Sequence, residues 1–332
     1  MKDNQNILVS VGVTTYDRLE MLIETLSSIL GQSYQNLEIL VANDNPAREL
    51  TLKDLKLSED SRVKIVNHSR NLGEINNLNW LLENSSGKYF TWLADDDVIH
   101  PQHIELLLSA MSNQTEIVAS FSGYSSTFAK FQELFTTDLL SSEFRHFETN
   151  AFLLEYSRRN VSIIGCYGLF ERTSLLQTGG FTILGDSFSP YSDTLIPIKL
   201  CKYGKISVTE ATSVLFRAHV SSMSNSQSNL LAFLDAENDF VQILDHETTG
   251  LPSPERREVF QNFGKWFRDN HLTLISRVEG NRIRQDYSLW FIACRRTRKN
   301  LAKFGYQSTQ GFIPGMVVLF RHRVSVWRAS KL

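Results

Sequence analysis

Cysteine is scarce in this chain. Cys166, Cys201 and Cys294 are the three among 332 residues, too few for a disulfide framework, and no two share a zinc-like CxxC spacing. A reducing compartment follows. Long apolar runs are missing as well, since none approaches the ~20 residues of a membrane-spanning helix. The opening MKDNQNILVSVGV has neither a basic n-region nor a small-residue cleavage site, so no secretory signal is expected there. Internal repeats and low-complexity stretches are absent. Hydrophobic residues at 42% against charged residues at 21% exclude disorder, a collagen-like chain and a long coiled coil. What remains is a soluble or peripherally bound protein, with room for about two domains at ~150 residues each.

Net charge nearly cancels, at −2 from 34 basic and 36 acidic residues, but the charges are unevenly placed. Residues 277–332 hold twelve Lys/Arg and only two acids, Glu279 and Asp286, which leaves the rest of the chain strongly acidic. A basic tail suits an anionic partner or a solvated helical face. No recognised nucleic-acid motif accompanies it, so no nucleic-acid partner is expected.

Short β-branched or aromatic runs punctuate the first half: 7–13, 37–42, 63–66, 89–93 and 117–121. Between the first two, Leu19, Leu22, Ile23, Leu26, Ile29 and Leu30 form the stripe of an amphipathic helix. A second helix carries Ile75, Leu78, Leu81 and Leu82, and a third follows Pro101. Alternating strands and helices predict an α/β fold, a mostly parallel sheet flanked by helices. The pattern turns helical after about residue 225, over 230–244, 260–275 and 287–304. The expected organisation is therefore a domain over 1–224 and a helical, basic region over 225–332.

Ligands of such sheets bind beyond the carboxyl ends of strands, which directs attention to the loops there. The first strand runs into Thr14-Thr15-Tyr16-Asp17-Arg18, a strand-to-helix turn that can hold a nucleotide or other anion, or simply cap the helix. Asp44 follows the second strand. Arg70-Asn71-Leu72-Gly73 offers a cation and a glycine where a diphosphate can lie. Asp95, Asp96 and Asp97 end an apolar strand, and three adjacent carboxylates repel one another unless a cation or hydrogen-bond donors compensate. Oxygen-only donors that leave positions for water suit Mg²⁺ or Mn²⁺ bridging to phosphates.

Taken in order, these segments resemble the family-2 glycosyltransferases. Thr15-Tyr16-Asp17-Arg18 is similar to the family's TYNR element, with Asp17 in place of Asn. Asn71-x-Gly73 with Asn79 resembles its NxGxxxAxN run, with Asn77 in place of Ala. Residues 93–101 (LADDDVIHP) resemble its metal-binding LDxDDxxxP, with Ala94 where many members have the first Asp. Gly179-Gly180-Phe181, then Ser192-Asp193 in place of a Glu-Asp pair, then Arg217-x-His219-x-x-Ser222 resemble the remaining elements. The likeness covers about residues 5–224 and stops before the helical tail.

The resemblance implies a GT-A fold, Rossmann-like in its sheet, and inverting transfer of a sugar from a nucleoside diphosphate donor to an acceptor hydroxyl. It implies Mn²⁺ or Mg²⁺ at Asp96, Asp97 and His219, and a nucleotide site built from Thr15, Tyr16, Arg18, Asp44, Arg70, Asn71 and Asp95. Asp193 becomes the general base, although Ser192-Asp193 can also cap the helix that follows. UDP-sugars are favoured as donors, and a saccharide or lipid-linked saccharide as acceptor. Two other readings compete. A sugar nucleotidyltransferase needs a glycine-rich basic loop after the first strand, and residues 14–18 contain no glycine. A non-catalytic nucleotide-sugar or polysaccharide-binding relative fits the loss of acids at Ala94 and Ser192.

The tail adds an expectation about location. Residues 312–320 (FIPGMVVLF) are apolar but only nine in number, and bases with Trp327 follow them. Such a segment suits docking on an anionic membrane surface, each Lys/Arg adding about 1 kcal/mol. A cytoplasmic protein, peripheral at the inner face of the membrane, is expected on this reading. The alternative is packing on the catalytic domain or on a second subunit, as in a homodimer.

Overall fold

The computed structural model describes residues 6–57, 60–112, 114–126, 137–186, 189–217, 230–277, 295–297, 299 and 302. The chain separates into two compact units, one of residues 1–183 with 192–218, the other of 184–191 with 219–332.

The first unit is built on a sheet. Its strands are β1 (Val9–Thr15), β2 (Leu37–Asn43), β3 (Val63–Asn67), β4 (Tyr89–Ala94), β5 (Val98–Ile99), β6 (Ile117–Ser125), β7 (Arg145–Phe147), β8 (Leu169–Glu171) and β9 (Lys205–Leu215). They run in the order β3-β2-β1-β4-β8-β6-β9-β5, and β7 also pairs with β9. The β3-β2-β1-β4 half is parallel. Beyond it the sheet is mixed: β8 lies antiparallel between β4 and β6, and β6 and β9 are parallel.

Every residue of β1 and β2 is buried, as expected of strands covered on both faces. Helix α1 (Leu19–Leu30) presses Leu22, Leu26 and Ile29 into that cover, each worth about 1.5–3 kcal/mol once removed from water. Helix α2 (Glu74–Asn84) buries Ile75, Leu78, Leu81 and Leu82, and α3 (His103–Met111) follows Pro101. Three more helices follow among the described residues of the unit: α4 (Thr149–Ser157), the short α5 (Arg172–Gln177) and α6 (Ser192–Leu200). A single 3₁₀ turn, Gly165–Tyr167, precedes β8.

One feature of the chain path makes the site. After β4 ends at Ala94 the chain turns through Asp95–Asp97, and the two residues of β5 pair antiparallel with Val214 and Leu215 at the end of β9. The carboxyl ends of β1, β4 and β9 thereby converge on one acidic turn, because Thr14 of β1 also faces Ala94 of β4.

Among the described residues of the second unit, two long helices dominate. Helices α7 (Leu230–Glu247) and α8 (Ser253–Arg277) are joined across Pro252, with Pro254 in the first turn of α8, where its missing N–H costs nothing. Tyr191 is ringed by Phe233, Phe240, Trp266 and Phe267 at centroid distances of 4.9–6.4 Å. Among the described residues, no helix is long and apolar enough to cross a membrane. The apolar segment 312–320 and Trp327 lie outside the described residues, as does His219.

Candidate active site

Asp95 is the hub of the strand-end turn. Its carboxylate accepts hydrogen bonds from Thr15 Oγ1 at 2.7 Å, from the Tyr16 backbone N–H at 3.2 Å and from Arg18 Nη1 at 2.9 Å. The same guanidinium nitrogen reaches Asp96 Oδ2 at 2.5 Å. The repulsion expected among three adjacent carboxylates is therefore relieved by protein donors. Burial still pushes the Asp95 carboxyl above its ordinary range, with Arg18 opposing the rise. The side chains of Asp95 and Asp96 are 5% and 13% exposed, so Asp96 is the more accessible of the two. Tyr16 stands out in solvent, 51% exposed.

Asp97 is enclosed. One oxygen accepts the Arg217 backbone N–H at 2.8 Å, and the other accepts the Tyr167 hydroxyl. Burial, then the neighbouring Asp96 charge, push its carboxyl up to about 7 against the pull of these two donors. Arg217 also donates from Nε to the Asp96 carbonyl and pairs with Glu24 on α1. Tyr167 in turn stacks on Trp92 at 6.4 Å, and Trp92 donates to Thr14 Oγ1 at 3.0 Å. Asp97 thus ties the turn to β9 and to the 3₁₀ turn.

Asp44 has both oxygens engaged by the backbone, accepting the Leu72 N–H at 2.7 Å and the Gly73 N–H at 2.9 Å. It shapes the loop that carries Arg70 and Asn71, both exposed, and Asn71 Oδ1 accepts the Gly73 N–H at 2.8 Å. Asn77 reaches back to the Ala42 carbonyl at 3.1 Å. Asn79 reads the Phe181 backbone in both directions, accepting its N–H and donating to its carbonyl, each at 2.8 Å. Gly180 sits beside this pair at φ +69, and a Cβ there would lie 2.5 Å from Asn79 Oδ1, so a side chain is excluded. Two segments that resembled family motifs separately are one hydrogen-bonded unit.

Asp193 lies in the first turn of α6, half-buried. Among the described residues, Thr194 alone of its neighbours donates to the carboxylate, from N–H at 2.8 Å and from Oγ1 at 3.4 Å. Burial raises its carboxyl above the ordinary range, while Thr194 and the Arg159 charge pull it down.

Two contributors were not picked out from the sequence. Tyr167 has no local pattern that marks it. Glu74 opens α2, where an acid reads as an ordinary favourable partner of the helix dipole. It is half-buried, no described residue donates a hydrogen bond to it, and it feels both Asp193 and Asp96. Burial first, then those two carboxylates, push it up to about 7 from an ordinary 4.5. Because the folded value is raised, Glu74 adds stability below about pH 4.5 and loses it as pH rises through 7. The full gap is worth about 3 kcal/mol at most. Glu74→Gln is thus expected to raise the melting temperature by a few degrees at pH 8 and to change it little at pH 5. Scanning calorimetry of the nucleotide-free protein at both pH values checks this, and equal shifts at the two would refute it.

Among the described residues, no three His, Cys, Asp or Glu side chains converge to hold a metal. The donors at hand are the oxygens of Asp96 and Asp95. That set fits a hard divalent cation bound by one or two carboxylates, with phosphate oxygens and water completing its shell.

The sequence profile described as "Glycosyl transferase family 2" matches residues 10–175. An uncharacterized glycosyltransferase of Haemophilus influenzae is 42% identical over 114 residues, 34% of this chain and 35% of that protein. The Escherichia coli "UDP-Glc:alpha-D-GlcNAc-diphosphoundecaprenol beta-1,3-glucosyltransferase WfgD" is 31% identical over 104 residues, 31% of this chain and 41% of that protein. The chain spans about a third of the length of the curated relatives that head its matches. In structure it is similar to residues 1–349 of Staphylococcus aureus TarS, solved with UDP-GlcNAc. The TM-score is 0.58 at 14% identity, over 92% of this chain and 93% of that one. The chain belongs to glycosyl transferase family 2 and has the GT-A fold.

Proposed function

We propose that this chain transfers a glycosyl unit from a nucleoside diphosphate sugar to an acceptor hydroxyl, with inversion at the anomeric carbon. The observation that carries the reading is Glu74, whose carboxyl feels the charges of both Asp96 and Asp193. Both carboxylates therefore act on one shared side chain, which supports a common site for a single displacement. Arg18 and Arg70 supply positive charge for the diphosphate, and Thr15 and Tyr16 flank the nucleoside. Asp96, with Asp95 beside it, would hold the divalent cation, Mn²⁺ or Mg²⁺. A cation bound there offsets the charge that builds on the departing diphosphate. Asp193 removes the acceptor proton as the hydroxyl attacks the face opposite the leaving group. Asp97, with Tyr167 and Arg217, positions the turn.

A uridine donor is supported by the UDP-GlcNAc complex of the structural neighbour and by the UDP-Glc in the name of the E. coli relative. The diphosphoundecaprenol in that name, together with the basic tail, supports a lipid-linked acceptor at the cytoplasmic face of a membrane. A thermal-shift series with UDP, GDP and ADP, with and without Mn²⁺, tests the donor half. A ligand at 100 times its Kd adds about 2.7 kcal/mol, so UDP with Mn²⁺ is expected to raise the melting temperature by several degrees. No shift with any of the three would overturn the reading.

A further inference from the structure

A cleft of about 560 Å³ opens beside the second half of β6, and none of the residues assigned above lines it. That volume falls in the roughly 300–1,000 Å³ span of small-molecule sites. An irregularity of the ladder creates it. The register of β6 on β9 runs from Phe121↔Val208 to Gly123↔Thr212, so three residues of β9 stand opposite one of β6. Such bulges re-aim side chains and recur next to functional sites. Arg145 enters the cleft from β7, and Asn160 and Ser162 enter it from the loop after α4.

The chemistry of the lining selects its ligand. Arg145 and Glu210 carry its charges, and they stand 3.9 Å apart, so the lining has no net charge to select an ion. Hydroxyls and an amide dominate the rest of the wall. Tyr124, 40% exposed, presents a flat ring with a polar tip. A neutral ligand dense in hydroxyl groups, with one apolar face to lay on a ring, matches that surface. A sugar ring has those properties.

The same loop leads to Asp193. Arg159 ends α4 at φ +65, a helix-end position that glycine usually takes, while the backbone closes through Arg159 N–H to the Tyr156 carbonyl and Asn160 N–H to the Glu155 carbonyl. An arginine held there interacts electrostatically with both Asp193 and Tyr124. Farther along, Gly165 lies so close to the chain that a Cβ would sit 1.8 Å from the Asp193 carbonyl oxygen. One stretch of chain thus lines the cleft at its start and rests on the proposed base at its end.

We propose that this cleft is a saccharide subsite, holding the sugar unit of the acceptor next to the one whose hydroxyl reacts. The assignment to the acceptor rests on the transferase reading above. Saturation-transfer NMR on the full chain tests it, with maltose, cellobiose, lactose and chitobiose as probes. At least one disaccharide is expected to give ring-proton signals that survive excess UDP and fall about fivefold or more in Tyr124→Ala and in Arg145→Ala. Both side chains are well exposed, and an unchanged melting temperature verifies that the variants fold. No disaccharide signal from the wild-type chain, or a signal as strong in the variants as in the wild type, overturns the subsite. A chain that binds a disaccharide in this way while no nucleoside diphosphate shifts its melting temperature supports the sugar site and removes it from a transfer reaction.

Discussion

Asp193→Asn is expected to retain nucleoside diphosphate binding while turnover falls about 10²–10⁴-fold, the usual contribution of a positioned base. The substitution changes little else. An asparagine oxygen can still accept the Thr194 N–H, so the first turn of α6 keeps its hydrogen bond. What disappears is proton affinity, at a carboxyl that burial has already made more basic than usual. The wild-type rate should therefore fall on the acid side as Asp193 takes up a proton, and that limb should be missing from the variant. Rates of UDP release with saturating acceptor, read beside the UDP-induced thermal shift, separate the roles. If shift and rate dropped together, Asp193 would belong to the donor site or to folding. An unchanged rate would leave it only the helix-start role.

The parallel half of the sheet was legible because its signals are local. The runs 37–42 and 63–66 are apolar and bounded by polar residues, and they became β2 and β3 with one residue added to each. The short strands were not legible. β8 has three residues, and what makes it a strand is antiparallel pairing with β4 and β6, which are distant in sequence. Two residues of β5 likewise depend on the end of β9. No periodicity can announce a strand that short.

In the site, residue types were easier to read than partners. Asp44 was expected in the nucleotide site, and its oxygens accept the Leu72 and Gly73 N–H groups, because the loop between β3 and α2 brings these to that carboxylate. Asp97 was expected beside a metal, and both its oxygens accept protein donors, one of them Tyr167, 70 residues away. Arg217 entered as part of a motif, and its N–H, Nε and guanidinium bind the acidic turn and α1 together. Thr15, Arg18, Asp95 and Asp96, each singled out by its motif, meet at the strand ends. The donors that share out the carboxylate oxygens come from segments remote in sequence, so they emerge only with the fold.

That division of labour makes Asp96 the residue whose loss should separate cation from nucleotide. Asp96→Ala is expected to lower glycosyl transfer by about 10²–10³-fold, comparable to removing one preorganised charge-stabilising group. The fold should hold, because Arg18 keeps its bond to Asp95, and Thr15 and the Tyr16 N–H continue to fix that carboxylate. Asp97 keeps Tyr167 and the Arg217 N–H, so the turn stays tied to β9. With Asp96 gone, Asp95 remains, but Thr15, Tyr16 and Arg18 already occupy its oxygens, leaving it a poor substitute for binding a cation. Mn²⁺ should therefore stop adding to the UDP-induced rise in melting temperature, while UDP alone still gives its smaller shift through Arg18 and Arg70. Asp96→Asn, which preserves side-chain size, should behave like Asp96→Ala and not like the wild type. Thermal shifts with UDP, Mn²⁺ and both together, on all three proteins, measure the coupling. A Mn²⁺ increment as large in the variants as in the wild type would remove Asp96 from the cation site.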